Sequence, residues 1–141
     1  MSVKKMAGES WKTIAFKGAN SLRKKYAVSN LGRMVSYAKD IYEDGKLLTG
    51  SLTSGYKTLN LHLEEGNGTF YIHREVAKLF CKKNSPKQKV VIHINHIKTD
   101  NRAENLAWKT PEEASTHQQN SPKKVAYKAA QAQRKKGVKL T

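Results

Sequence analysis

The chain has 141 residues, 38% of them hydrophobic, and 27 Lys and Arg against 11 Asp and Glu, a formal net charge of +16. That length and apolar fraction suit one modest core with an appendage. The charge calls for a polyanionic partner, and nucleic acid stands ahead of an anionic membrane because no stretch is long and apolar enough to span a bilayer or reads as a Trp- and Leu-rich basic surface helix.

The first residues, Met1-Ser-Val-Lys-Lys5, lack a signal-peptide apolar core, so a cytoplasmic, nucleoid-associated protein is expected. The single cysteine, Cys81, excludes a disulfide framework and a Cys-rich zinc site. Short strands come first: Trp11–Phe16, Tyr26–Val28, Arg33–Tyr37 after the turn signal Ser29-Asn-Leu-Gly32, and Lys46–Leu48. In Tyr56–Leu63, leucines 59, 61 and 63 alternate with Asn60 and His62, the period of a half-buried strand. Glu64–Gly68 reads as a turn and Thr69–Ile72 as the returning strand of a hairpin. Ile72, Val76, Leu79 and Phe80 then share one face of a helix. His62 and His73 read as surface residues, and Trp11 and Trp108 as core or hairpin anchors.

Val90–Asn95 is the next predicted strand, with Val90, Ile92 and Ile94 on its apolar face and Val91, His93 and Asn95 on the other, which points His93 away from the core. A polar loop from Asn101 to Asn105 leads to the strand Leu106–Lys109. Thr110-Pro-Glu-Glu113 then opens a helix, with Thr110 as N-cap, proline at the first helical position and Glu113 completing a capping box. All eleven acids lie at or before Glu113, whereas Ser121 to Thr141 holds seven Lys and Arg and no acid. That shift marks a boundary near Asn120-Ser-Pro122. Beyond it the sequence tolerates helix, either as a solvated, fraying segment or as a basic arm that orders along phosphates.

The order strand, loop, strand, helix, with the string Asn101-Arg-x-Glu-Asn105-Leu-x-Trp108 and then His117, resembles the HNH nucleases. Upstream, Trp11-Lys-x-Ile, Tyr26-x-Val-Ser-Asn30-x-Gly32-Arg33 and Gly45-Lys-Leu-Leu look like the NUMOD4 module that precedes HNH domains in phage and bacterial homing endonucleases. Ser54-Gly-Tyr56-x-x-Leu59 and His73-Arg74-x-Val-Ala-x-x-Phe80 are similar to the family's lead-in to its finger. The resemblance implies an α+β fold: a small antiparallel β-rich NUMOD4-like module over residues 1–63, a ββα-metal finger with its lead-in hairpin and helix over 64–120, and a basic helical or disordered tail over 121–141. Gly137–Thr141 is weakly similar to the start of a helix-turn-helix found after such domains.

The resemblance further implies a phosphodiester-cleaving site in which the histidine closing the first strand is a general base, the central Asn orients that histidine and ties the loop, and one divalent metal stabilises the charge on phosphorus and the leaving oxygen. His93 stands twelve residues before Asn105, the family's ungapped spacing; His96 stands nine before it, although Asn95-His96 imitates the usual ligand–base pair. His93 and Asn105 are therefore the expected catalytic pair. Where the family has metal ligands this chain has Ile92 and Ala114, leaving Asn95, His96 and His117 as a substitute set for Mg, Mn, Ni or Zn. Arg33, Lys57, Arg74, Lys98, Arg102, Lys109, Lys123, Lys124, Arg134, Lys135 and Lys136 are the expected contacts to double-stranded DNA. No membrane partner and no small-molecule cofactor are expected. Two functions stay open: an HNH-type endonuclease acting on duplex DNA, and a catalytically silent finger that binds DNA and regulates. An RNA-binding role is permitted by charge, without an RNA-recognition aromatic motif to support it.

Overall fold

A computed structural model describes residues 3–14, 24–63 and 66–135, and for residues 62, 63, 66, 67 and 133–135 it describes the backbone only. The N-terminal part is a four-stranded antiparallel sheet in simple order, β1 (Trp11–Thr13), β2 (Lys25–Ser29), β3 (Met34–Tyr37) and β4 (Lys46–Leu48). The turn read at Ser29–Gly32 joins β2 to β3, with Gly32 at φ +85°. A short helix, α1 (Ile41–Asp44), precedes β4 and is capped by the Asp40 carboxylate, which accepts from the amides of Tyr42 and Glu43.

A second antiparallel sheet holds β5 (Ser51–Thr53), β6 (Tyr56–Leu63) and β7 (Gly66–Tyr71). Leu59 and Leu61 are buried and Asn60 is exposed, as the alternation predicts. The returning strand is longer than expected: Leu61 pairs with Gly68 and Leu63 with Gly66, so residues read as turn belong to the ladder. Backbone hydrogen bonding along β6 overrides the weak strand preference of Gly-Asn-Gly. Helix α2 (Ile72–Phe80) follows directly and buries Ile72 and Val76 completely.

The last unit is the two-stranded pair β8 (Val90–His93) and β9 (Leu106–Lys109), with a 3-10 turn at Ala103–Asn105 leading into β9. Helix α3 (Pro111–Gln119) begins with the full capping box between Thr110 and Glu113. Helix α4 (Pro122–Lys135) extends from it, with Val125 and Tyr127 exposed. One apolar core runs through all three sheets, from Ile14, Val28 and Met34 through Leu59, Ile72 and Val76 to Val91, Leu106 and Trp108. The hairpin β6–β7 crosses residue 63, so the two modules meet within a sheet and within that core. Trp108 anchors the finger on α2, donating Nε1–H to the Ala77 carbonyl at 3.2 Å.

One face assignment is reversed. Val91 and His93 are buried, Ile92 and Val90 are half-buried, and Ile94 is 51% exposed. Alternation tells which side chains share a face, but both faces of this strand carry apolar residues. The face packed on α2 became the core face because α2 brings fully buried aliphatics, whereas α3 has no buried residue of its own.

Candidate active site

His93 closes β8 with its ring packed inside the protein, 6% exposed. Its Nε2 lies 2.8 Å from Asn101 Oδ1. An amide oxygen only accepts, so the proton sits on Nε2 and the lone pair is on Nδ1. Burial pushes the ring's pKa below 6.5, against the opposing hydrogen bond to Asn101, so the imidazole is neutral near pH 7. On one side the ring meets His73 at 4.9 Å between centroids and Tyr56 at 5.9 Å.

Asn101, rather than Asn105, is thus the ring's partner. Asn105 serves the loop: its Oδ1 accepts from the Asn95 amide at 3.0 Å, and its Nδ2 donates to Asn95 Oδ1 and to the Asp100 carbonyl. The main chain adds Ile94 N–H to Asn105 C=O at 2.8 Å. Sequence reasoning missed Asn101 as a site residue although it opens the Asn-Arg-x-Glu-Asn string. His73, read as a surface residue, is 5% exposed and stacks on Tyr56 at 4.9 Å. It is buried because the first turn of α2 is wedged between β6 and β8. Its pKa falls to about 3, chiefly from burial, with the charges of His93 and Arg74 adding to it. Its Nδ1 is buried without a hydrogen-bond partner among the described residues.

His96 follows in the loop at φ +64°, a backbone state that usually calls for glycine. Its ring lies flat against that of His117, 3.9 Å between centroids and 9° between planes. His117 Nε2 donates to the His93 carbonyl at 2.8 Å, fastening α3 to the end of β8. These residues, with Ile92, Ala114 and Lys98, line a groove of about 720 Å³ between β8 with the loop after it and helices α3 and α4. Lys123 and Lys124 form its far rim.

The other expected cations divide into engaged and open. Arg33 is engaged: its Nε donates to Glu9 Oε2 at 2.7 Å, its Nη2 bonds Glu9 and the Lys4 carbonyl, and its guanidinium lies over Trp11. Lys57 bonds the Thr49 carbonyl, and Lys98 bonds the Ser54 carbonyl while covering the Tyr56 ring. Arg102 pairs with Asp100 and Glu104. Arg74 is exposed above Tyr71, Lys109 is half-exposed, and Lys123 and Lys124 are exposed. The side chains of Arg134 and Lys135, and all of Lys136 and Gly137–Thr141, lie outside the described residues.

With this geometry in view, the comparisons with known proteins are specific. A family model described as HNH endonuclease matches residues 70–121, and one described as the NUMOD4 motif matches residues 9–62. Among solved structures the chain is similar to the HNH homing endonuclease I-HmuI, from a study of its DNA binding and cleavage: 31% identity, TM-score 0.61, over 91% of this chain and 68% of that one. The chain belongs to the NUMOD4-containing HNH endonucleases. Two uncharacterised HNH endonucleases of Acanthamoeba polyphaga mimivirus are also similar, one 41% identical over 77% of this chain and one 33% identical over 65% of it. This HNH chain spans about a quarter, 26%, of the length of each.

An HNH finger implies a divalent metal, and the donors present here do not fit a hard one. Ile92 and Ala114 offer no lone pair. Asn95 Oδ1 already accepts from Ile97 N–H at 2.9 Å and from Asn105, while its Nδ2 donates to Asp100. The imidazoles of His96 and His117 lie face to face, so their in-plane lone pairs run parallel rather than converging on one ion. Among the described residues no group of three His, Cys, Asp or Glu side chains is placed to hold a metal. No helix among them is long and apolar enough to cross a membrane.

Proposed function

We propose that this HNH protein acts on double-stranded DNA as an endonuclease, with His93 as general base. The observation that carries this reading is the His93–Asn101 pair: a neutral imidazole, proton held on Nε2 and lone pair on Nδ1, on a residue that lines a groove rimmed by lysines. Nδ1 takes a proton from water, and the water oxygen bonds to phosphorus. The bond from phosphorus to the leaving deoxyribose oxygen breaks, and that oxygen takes a proton from solvent. Lys98, Lys123 and Lys124 line the same groove and favour the phosphate charge there. No step is assigned to a metal, because the donors do not fit one.

That misfit supports a second reading, in which the finger grips DNA without cutting it. Both readings share a charge-driven, salt-steep affinity for duplex DNA. The deciding experiment is relaxation of supercoiled plasmid with Mg²⁺, Mn²⁺, Ni²⁺, Zn²⁺ or EDTA, run beside a binding measurement. The endonuclease reading expects nicking that disappears in His93→Ala while binding persists. Binding without cleavage under every condition would leave the silent finger as the function. Competition by RNA in preference to duplex DNA would remove both.

A further inference from the structure

The NUMOD4 module is not only attached to the finger; it touches the loop that holds His93. Gly32, in the β2–β3 turn, sits so close to that loop that a Cβ there would be 2.7 Å from the Asn101 carbonyl carbon and 2.9 Å from its oxygen. Two residues earlier in the turn, the Asn30 carbonyl accepts the Ala103 N–H at 2.7 Å. The turn itself is stiff: Ser29 Oγ accepts from the amides of Leu31 and Arg33, and Asn30 bonds Ser10 and Gly8 through its side chain. Asn101, 4% exposed, lies between this turn and the imidazole it bonds.

We propose that the Asn30–Gly32 turn of the NUMOD4 module is a positioning element of the HNH site, setting the place of Asn101 and through it the proton position on the His93 ring. Only a residue without Cβ lets the turn seat against the Asn101 backbone, and the Asn30–Ala103 hydrogen bond fixes the loop's other side. The module then shapes the site from within the fold as well as adding surface for a partner. The inference rests on the reading of His93 as a base for its effect on rate. The ring's proton position is measurable whether or not the protein cleaves.

The test is ¹⁵N NMR of the His93 imidazole in the full-length chain, with plasmid cleavage measured in parallel. Wild type should show one protonated and one unprotonated ring nitrogen, Nε2 and Nδ1 respectively. Gly32→Ala should mix the two tautomers and slow cleavage by roughly 10- to 100-fold, the scale of an ångström-level misplacement. Leu52→Ala is the control, because Leu52 lies in β5, 64% exposed. It should keep the wild-type ring signals.

If Gly32→Ala does not fold, Ala103→Pro carries the same readout. It deletes the N–H given to Asn30 at the first position of the 3-10 turn, after Arg102 at ψ 137°, where proline is tolerated. Wild-type ring signals in a folded Gly32→Ala or, failing that, in Ala103→Pro, would overturn the inference. Mixed tautomers in a protein that never cleaves would uphold it and defeat only the endonuclease reading.

Discussion

His93 and His73 are two neutral imidazoles inside one small protein, and their burial has a measurable consequence. Each ring's folded pKa lies below 6.5, for His73 at about 3, whereas in the unfolded chain both protonate near 6.5. The unfolded state therefore binds more protons as pH falls below 6.5. The stabilisation is complete above that value and is lost on acidification, by up to about 1.4 kcal/mol per pH unit for each histidine, until the folded ring itself protonates. Thermal unfolding should show Tm dropping between pH 7 and pH 5, and His73→Phe should flatten that slope. The same depressed pKa keeps His93 unprotonated in mild acid, so the acid limb of a cleavage-rate profile should lie below pH 6.5.

Arg33 gives a third residue-level outcome. Its partner Glu9 has a fully covered side chain whose burial is outweighed by hydrogen bonds from Arg33 and Ser29, which hold the carboxyl below its usual range. Arg33→Ala strands that carboxylate and should cost roughly 2–3 kcal/mol in denaturant unfolding. DNA affinity per folded molecule should stay near wild type, which would remove Arg33 from the footprint.

Among the elements, α3 is held by its ends. Thr110 and Glu113 satisfy the first-turn amides, and His117 ties the helix body to the His93 carbonyl. With no buried residue on α3, capping supplies an unusual share of its stability. Thr110→Ala should therefore cost about 1 kcal/mol and loosen hydrogen-exchange protection in α3 before the rest of the fold. Helix α4 has no acid, keeps Val125 and Tyr127 exposed, and presents Lys123 and Lys124 to the groove. Deleting residues 122–141 should leave the core folded and make DNA affinity weaker and less salt-dependent, the salt slope shrinking by about one unit per lost phosphate contact. An unchanged slope would mean that the helix takes no part in binding.

For the whole molecule, the continuous core has its own test. Because β6 and β7 pair across residue 63 and one apolar cluster joins Ile14 to Trp108, fragments 1–63 and 64–141 should each lack dispersed NMR spectra when expressed alone. Folded fragments would show that the two modules are separable domains.

Most of the strands, the helix α2 face, the capping box and the acid-free tail are legible from the chain, because each depends on residues a few positions apart; α1 and β5 are too short to carry a readable pattern. The ungapped spacing from His93 to Asn105 and the Asn-Arg-x-Glu-Asn string were equally local, and they were enough to assign the family. Alternation in β8 could pair Val91 with His93 but not say that their face is the buried one, since that depends on α2 arriving from elsewhere in the chain. The Asn101 bond to His93, the packing of His73 and Tyr56 against its ring, and the approach of Gly32 to Asn101 all join residues brought together only by packing of the common core. Sequence alone thus determined the kind of site and which residues stand where metal ligands are expected. Tertiary structure decided which asparagine holds the histidine, where its proton sits and why the candidate imidazoles do not converge on an ion, because those depend on directions and distances that no spacing encodes.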